Sequence, residues 1–171
     1  MFLFDSHDTP RLHNDKAIFD RDIYKGVVMA LYMLPGMPNL YYGDEVLLNG
    51  KLGSNEGARY PMEWREEYWD KDMLSFYRSM GEVRKEDWLG FSSYSVIPLD
   101  HKAFAVIRFI KGKALVGIIN RGEKRELELP LFLLPEEKIS VIVGEGDAKR
   151  DEDRLKIKVE DKESLLIRLE N

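Results

Sequence analysis

The densest group of chemistry-bearing side chains is Ser6-His7-Asp8-Thr9-Pro10-Arg11, which follows directly on the apolar triplet Phe2-Leu3-Phe4. In a parallel α/β fold the ligand site lies outside the carboxyl ends of the strands, so polar residues in this position are well placed for chemistry. The competing account is that Asp8 and Thr9 do no more than cap a turn. His7-Asp8 is also a grouping that metal sites use, but such a site needs further ligands. Only His13 and His101 remain, and His101 lies far along the chain. Asp44-Glu45, after Gly43, could act chemically by position, although turn and capping roles suit them better. Trp64 and Trp69 could stack on a flat ligand, but aromatic residues near a helix start more often anchor a core. The charged run Asp147 to Arg154 reads as a solvated loop.

The elements that must position these residues fall into two textures that meet near residue 88. In the first, Phe2-Leu3-Phe4 reads as a short buried strand. Ile23, Val27, Ala30, Leu31 and Leu34 then recur at helical spacing, and Pro35-Gly36 must stop that helix. Asn39-Leu40-Tyr41-Tyr42 is a second short run, closed by Gly43, so the order is strand, helix, strand with a crossover suited to parallel pairing. Gly50, Gly53 and Gly57 mark a long loop that reaches to Trp64. Asp70 then stands as an N-cap before Met73, Phe76, Tyr77, Met80 and Val83, the apolar face of a helix ending near Lys85. In the second texture, 103–110 and 114–119 flank Lys111-Gly112-Lys113, a hairpin signal, and further runs cover 127–129, 139–143, 155–159 and 165–169. Short strands at this spacing indicate an antiparallel β-sandwich of about 80 residues.

Composition narrows the functional classes. Lys and Arg number 26 against 31 Asp and Glu, a net charge of -5, so the chain offers no basic field for a polyanion and nucleic acid is not an expected partner. No apolar run approaches the roughly 18 residues of a membrane span. The absence of Cys removes disulfides, thiolate metal sites and thiol catalysis together. The first residues meet Asp5 at once and carry no basic stretch, unlike a signal peptide, so a cytoplasmic location is expected. Gln is missing altogether while Glu, Lys and Arg abound, the leaning of proteins from hot habitats.

Three segments resemble one family. Phe4-Asp5-Ser6-His7-Asp8-Thr9-Pro10-Arg11 is similar to the motif ending the seventh barrel strand of the α-amylase family, glycoside hydrolase family 13. Pro35-Gly36-Met37-Pro38-Asn39-Leu40-Tyr41-Tyr42-Gly43-Asp44-Glu45 resembles that family's eighth-strand motif. Arg59-Tyr60-Pro61-Met62-Glu63-Trp64, followed by a helix and a sandwich, is the third match, and all three occur in the family's order. The Ser-His-Asp-Thr form is most like the cyclomaltodextrinase, neopullulanase and maltogenic amylase branch.

The resemblance implies the last two β/α units of a (β/α)8 barrel in 1–88 and a β-sandwich C-terminal domain in 89–171. By position it makes Asp8 the third catalytic carboxylate, which holds ring hydroxyls of the sugar at the cleavage subsite and favours its distortion toward an oxocarbenium-like state. It makes His7 a ligand of the same sugar, and Arg11 a further substrate-binding residue of that motif. Glu56 and Arg59 resemble an acidic and basic pair that contacts a more distant glucose unit, in a loop one residue shorter than the family's usual form. The implied substrate is an α-glucan or cyclomaltodextrin, with no cofactor. Many relatives use Ca²⁺, but through ligands before the seventh strand, so no metal is expected. Nucleophile and general acid belong to the fourth and fifth barrel strands, whose motifs are not among these 171 residues. The chain alone is therefore expected to be inactive, and to exist as a homo-oligomer or in complex with the remaining strands. The alternative is a non-catalytic glucan-binding or structural module.

Overall fold

A computed structural model describes residues 1–15, 19–50, 55–132, 134–135 and 137–171. Helix α1 spans Arg21–Met33, α2 is the single turn Asn55–Ala58, and α3 spans Lys71–Arg84. Eight strands follow: β1 Ser93–Pro98, β2 Ala103–Ile110, β3 Lys113–Asn120, β4 Arg125–Pro130, β5 Lys138–Val143, β6 Asp147–Asp151, β7 Arg154–Val159 and β8 Ser164–Glu170. The helix starts have a local cause. The Asp20 carboxylate accepts hydrogen bonds from the backbone N–H groups of Asp22 and Ile23, and that of Asp70 accepts one from Met73, so each helix begins where an acid satisfies its free donors.

The strands form a five-stranded sheet, β1-β2-β3-β8-β5, over a three-stranded one, β4-β7-β6, with every pairing between them antiparallel. The larger sheet is covered on both faces, which explains why β2, β3 and β8 are nearly continuous apolar runs. Val116, Ile118, Ile107 and Ile167 meet Leu129, Leu155 and Ile157 of the smaller sheet. Their neighbours Val106, Leu115, Ile119 and Leu166 point the other way, against Met29 and Met33 of α1 and Met80 of α3. In β7 the alternation Leu155-Lys156-Ile157-Lys158-Val159 places the aliphatic residues inward, as one covered face demands. The hairpin turns at Gly112, whose φ of 78° favours a residue without Cβ.

Several expectations change. The two short parallel strands reduce to one bridge, Phe2 to Pro38, framed by hydrogen bonds from Phe2 N to Met37 O (3.0 Å) and from Asn39 N to Phe2 O (2.8 Å). A parallel pair with no further neighbours gains too few hydrogen bonds to extend. The charged run from Asp147 is not wholly loop: 147–151 is the edge strand β6, whose side chains stay largely in solvent. β1 is a second edge strand absent from the periodicity. The long loop before Trp64 contains α2, and Gly53, one of its expected markers, lies outside the described residues. Trp64 is 77% exposed and anchors no core, whereas Trp88 is buried against α3. Among the described residues, no helix is long and apolar enough to cross a membrane.

Candidate active site

The segment after Phe4 is folded by its own side chains. Thr9 Oγ1 accepts from Ser6 N (3.1 Å), Ser6 Oγ accepts from Asp8 N (3.1 Å), and both Asp5 oxygens accept from Leu12 N (3.0 and 3.1 Å). Ser6, Thr9 and Asp5 thus take the capping work, and the Asp8 carboxylate is left facing His7 and Arg59. His7 Nε2 lies 3.1 Å from its Oδ2, and Arg59 Nη2 donates to its Oδ1 at 3.0 Å. The Asp8 side chain remains 65% exposed, so the trio opens to solvent on the surface of the chain.

Arg59 reaches Asp8 from the end of α2, where its N–H donates to Glu56 O (3.0 Å). The preceding carbonyl fixes that segment: Ala58 O accepts from Tyr41 Oη at 2.9 Å and, at 3.4 Å, from Arg11 Nη2 and Tyr42 Oη. The nearer acceptor of the single Tyr42 O–H is Tyr60 O, at 2.7 Å. The sequence signal for this tether was the Tyr41-Tyr42 pair, which reads only as strand until the rings are seen to turn toward 58–60.

Arg11 lies inside the fold. Expected to bind substrate, it is 1% exposed, its guanidinium 4.7 Å from the Tyr41 ring centroid and 4.9 Å from that of Tyr42. Its Nη1 donates to Asp44 Oδ1 at 2.8 Å. A guanidinium so enclosed cannot meet a ligand at the surface; it joins the Asp8 segment to the segment carrying Arg59. Asp44 is correspondingly more than a turn residue, while Glu45 does cap, accepting from Gly43 N at 2.8 Å. Glu56 sits in α2, next to the Arg59 segment. The structure therefore brings His7, Asp8 and Arg59 together and turns Arg11 inward.

Behind the trio lie two buried carboxyls. Burial, then the charge of Asp5, push the Asp44 carboxyl up to about 8 against the pull of Arg11. Burial likewise raises Asp5, opposed by the Leu12 N–H and Arg11. Burial lowers His13, whose Nε2 lies 2.8 Å from Leu48 O.

With this geometry in view, the relatives define a class. A cyclomaltodextrinase of Thermoanaerobacter pseudethanolicus is 31% identical over 127 residues, which cover 73% of this chain and 21% of that protein. A maltogenic α-amylase of Bacillus acidopullulyticus is 31% identical over 134 residues, covering 75% and 22%. An Anoxybacillus α-amylase structure matches 98% of this chain and 37% of its own with a TM-score of 0.83; at 21% identity that likeness concerns the fold. No protein-family model matches the chain. The chain is related to α-amylase-family glycoside hydrolases, as the three motifs implied. Within that family it corresponds to the C-terminal part of the cyclomaltodextrinase, maltogenic amylase and neopullulanase branch. It spans about one fifth of the length of these curated relatives.

Proposed function

We propose that this chain supplies the C-terminal share of an α-glucan-hydrolysing site, with 1–88 as the last two β/α units of a barrel and 89–171 as the sandwich domain behind them. The observation that carries the proposal is the Asp8 carboxylate, open to solvent between His7 and Arg59. A carboxylate in that setting accepts hydrogen bonds from two neighbouring sugar hydroxyls. Those bonds shorten as the ring flattens and positive charge develops at the anomeric carbon, so Asp8 favours the transition state over the ground state. His7, beside it, donates to or accepts from a third hydroxyl, and Arg59 holds the carboxylate in place until sugar arrives. Glu56, on the same turn as Arg59, is the residue that the family resemblance assigns to a further glucose unit.

Retaining hydrolysis also needs a carboxylate nucleophile and a carboxylic acid about 5 Å apart. Asp5 and Asp44 do not serve: both are buried, and Asp44 is bound to Arg11. The chain alone should therefore leave cyclomaltodextrin, pullulan and starch intact. Combined with a polypeptide carrying the first six barrel units of a cyclomaltodextrinase, it should restore hydrolysis. Asp8→Asn in that complex should reduce kcat at least about a hundredfold, as loss of a transition-state contact does. Turnover by the chain alone that persists in Asp8→Asn would refute the assignment. A module that only binds glucan is favoured by one observation, the exposed aromatic rings of Tyr60, Trp64 and Tyr68. Glucan retention by the chain without any restored hydrolysis would select it.

A further inference from the structure

Three of the buried polar residues come from separate segments and converge. Asp5 precedes the Asp8 turn, His13 lies in the 3₁₀ turn Leu12–Asn14, and Asp44 opens the 3₁₀ turn Asp44–Val46. Each offers one oxygen or ring nitrogen, and these atoms all lie within 4.8 Å of one another. The residues are 4%, 7% and 1% exposed. His13 supplies an independent pointer to a ligand. Its Nε2–H donates to Leu48 O, so Nδ1 carries the lone pair, and Nδ1 is buried without any hydrogen-bond partner. A buried acceptor left unmade is costly, and a cation relieves it.

We propose that Asp5, His13 and Asp44 form a buried site for a divalent transition-metal ion of the zinc type. One imidazole and two carboxylates make a mixed nitrogen and oxygen set, which suits zinc, cobalt or manganese better than calcium or magnesium. The Nε2–H to Leu48 carbonyl bond is the outer contact that a metal-binding histidine commonly makes, and it fixes the tautomer that frees Nδ1. Arg11 engages Asp44 Oδ1, and the other side-chain partner of the Asp44 carboxyl is that of Asp5. The ion binds by displacing the proton held between the two carboxyls, which together then outweigh the Arg11 guanidinium by one negative charge. The ion would lock the segment leading into His7-Asp8 to the turn after Gly43, so its role is structural, and it is independent of whether Asp8 acts on glucan.

The test uses the full 171-residue chain, stripped with chelator and then incubated with Co²⁺. One Co²⁺ per chain should bind with visible ligand-field absorption, be displaced by Zn²⁺, and raise Tm by about 5 to 10 °C at a hundredfold excess over Kd. His13→Gln should abolish the absorption and the shift. Folded chain, judged by far-ultraviolet circular dichroism, that shows neither signal overturns the proposal, as does unchanged binding in His13→Gln. Should that variant fail to fold, X-ray absorption on the zinc-loaded wild type decides. One imidazole nitrogen with carboxylate oxygens at about 2.0–2.2 Å supports the site, and a shell of oxygens alone or of several imidazoles overturns it.

Discussion

Arg108 is the residue whose removal should cost the fold most. It lies on the helix-facing side of β2, 2% exposed, and no carboxylate is among its hydrogen-bond partners. Its guanidinium instead donates to Ser92 Oγ (2.9 Å), Met33 O (3.3 Å), Leu34 O (3.1 Å) and Leu89 O. Met33 and Leu34 end α1, where the last carbonyls have no partner within the helix. Arg108→Met keeps much of the volume and strands the Met33 and Leu34 carbonyls, while Leu89 O keeps the Ser92 hydroxyl at 3.2 Å. Each buried acceptor so abandoned costs about 1–3 kcal/mol. Against that, the variant no longer buries a charge, whose strain shows as a lowering of the Arg108 pKa by burial. A net loss of about 2–4 kcal/mol is expected, two abandoned acceptors set against that relief. For a chain of this length that is a fall in Tm of about 4 to 16 °C in a thermal melt followed by circular dichroism. A change of less than about 1 kcal/mol would show that water reaches these carbonyls and that the guanidinium holds nothing together.

Three further outcomes follow from named contacts. Gly26→Ala should destabilise by about 1–3 kcal/mol in denaturant titration despite alanine's better helix propensity, because its Cβ would lie 2.7 Å from Ser164 Oγ and 3.1 Å from Ile119 Cγ2. Asp20→Ala removes both the cap of α1 and the 2.8 Å bond from Lys162, costing about 1–2 kcal/mol at neutral pH. Lys162 holds the Asp20 carboxyl below its ordinary 3.8, so that stability is present above 3.8 and lost as pH falls through the lower folded value; melts should show the mutant gap closing there. Asp8→Asn should shift Tm by no more than about 3 °C, since exposed ion pairs contribute at most about 1 kcal/mol; a larger drop would mark Asp8 as structural.

The sandwich was legible wherever a strand buries a face. The runs at 103–110, 114–119, 155–159 and 165–169 became β2, β3, β7 and β8 because burial dictates their residue types. β1 and β6 escaped for the complementary reason: both sit at sheet edges and carry mainly exposed side chains, so serines and charges suit them as well as aliphatics would. Asp70 and the helix it starts were readable because capping is local. His7-Asp8 could be seen as a pair, but the approach of Arg59 depends on Tyr41, Tyr42 and Arg11 meeting at Ala58, contacts across dozens of residues that no spacing encodes. The burial of Arg11 was hidden for the same reason: an arginine in a polar turn looks exposed until its stacking partners are placed.

The two faces of the central sheet have a consequence for how the molecule comes apart. α1 and α3 share one apolar cluster with β2, β3 and β8, and the connector between α3 and β1 is itself pinned through Leu89 and Ser92. Helices and sandwich therefore open as one cooperative unit. Amide protons in α1 and β3 should exchange at the same, globally limited rate, and a protease should find no early cut between residues 85 and 92 that releases an independently folded sandwich.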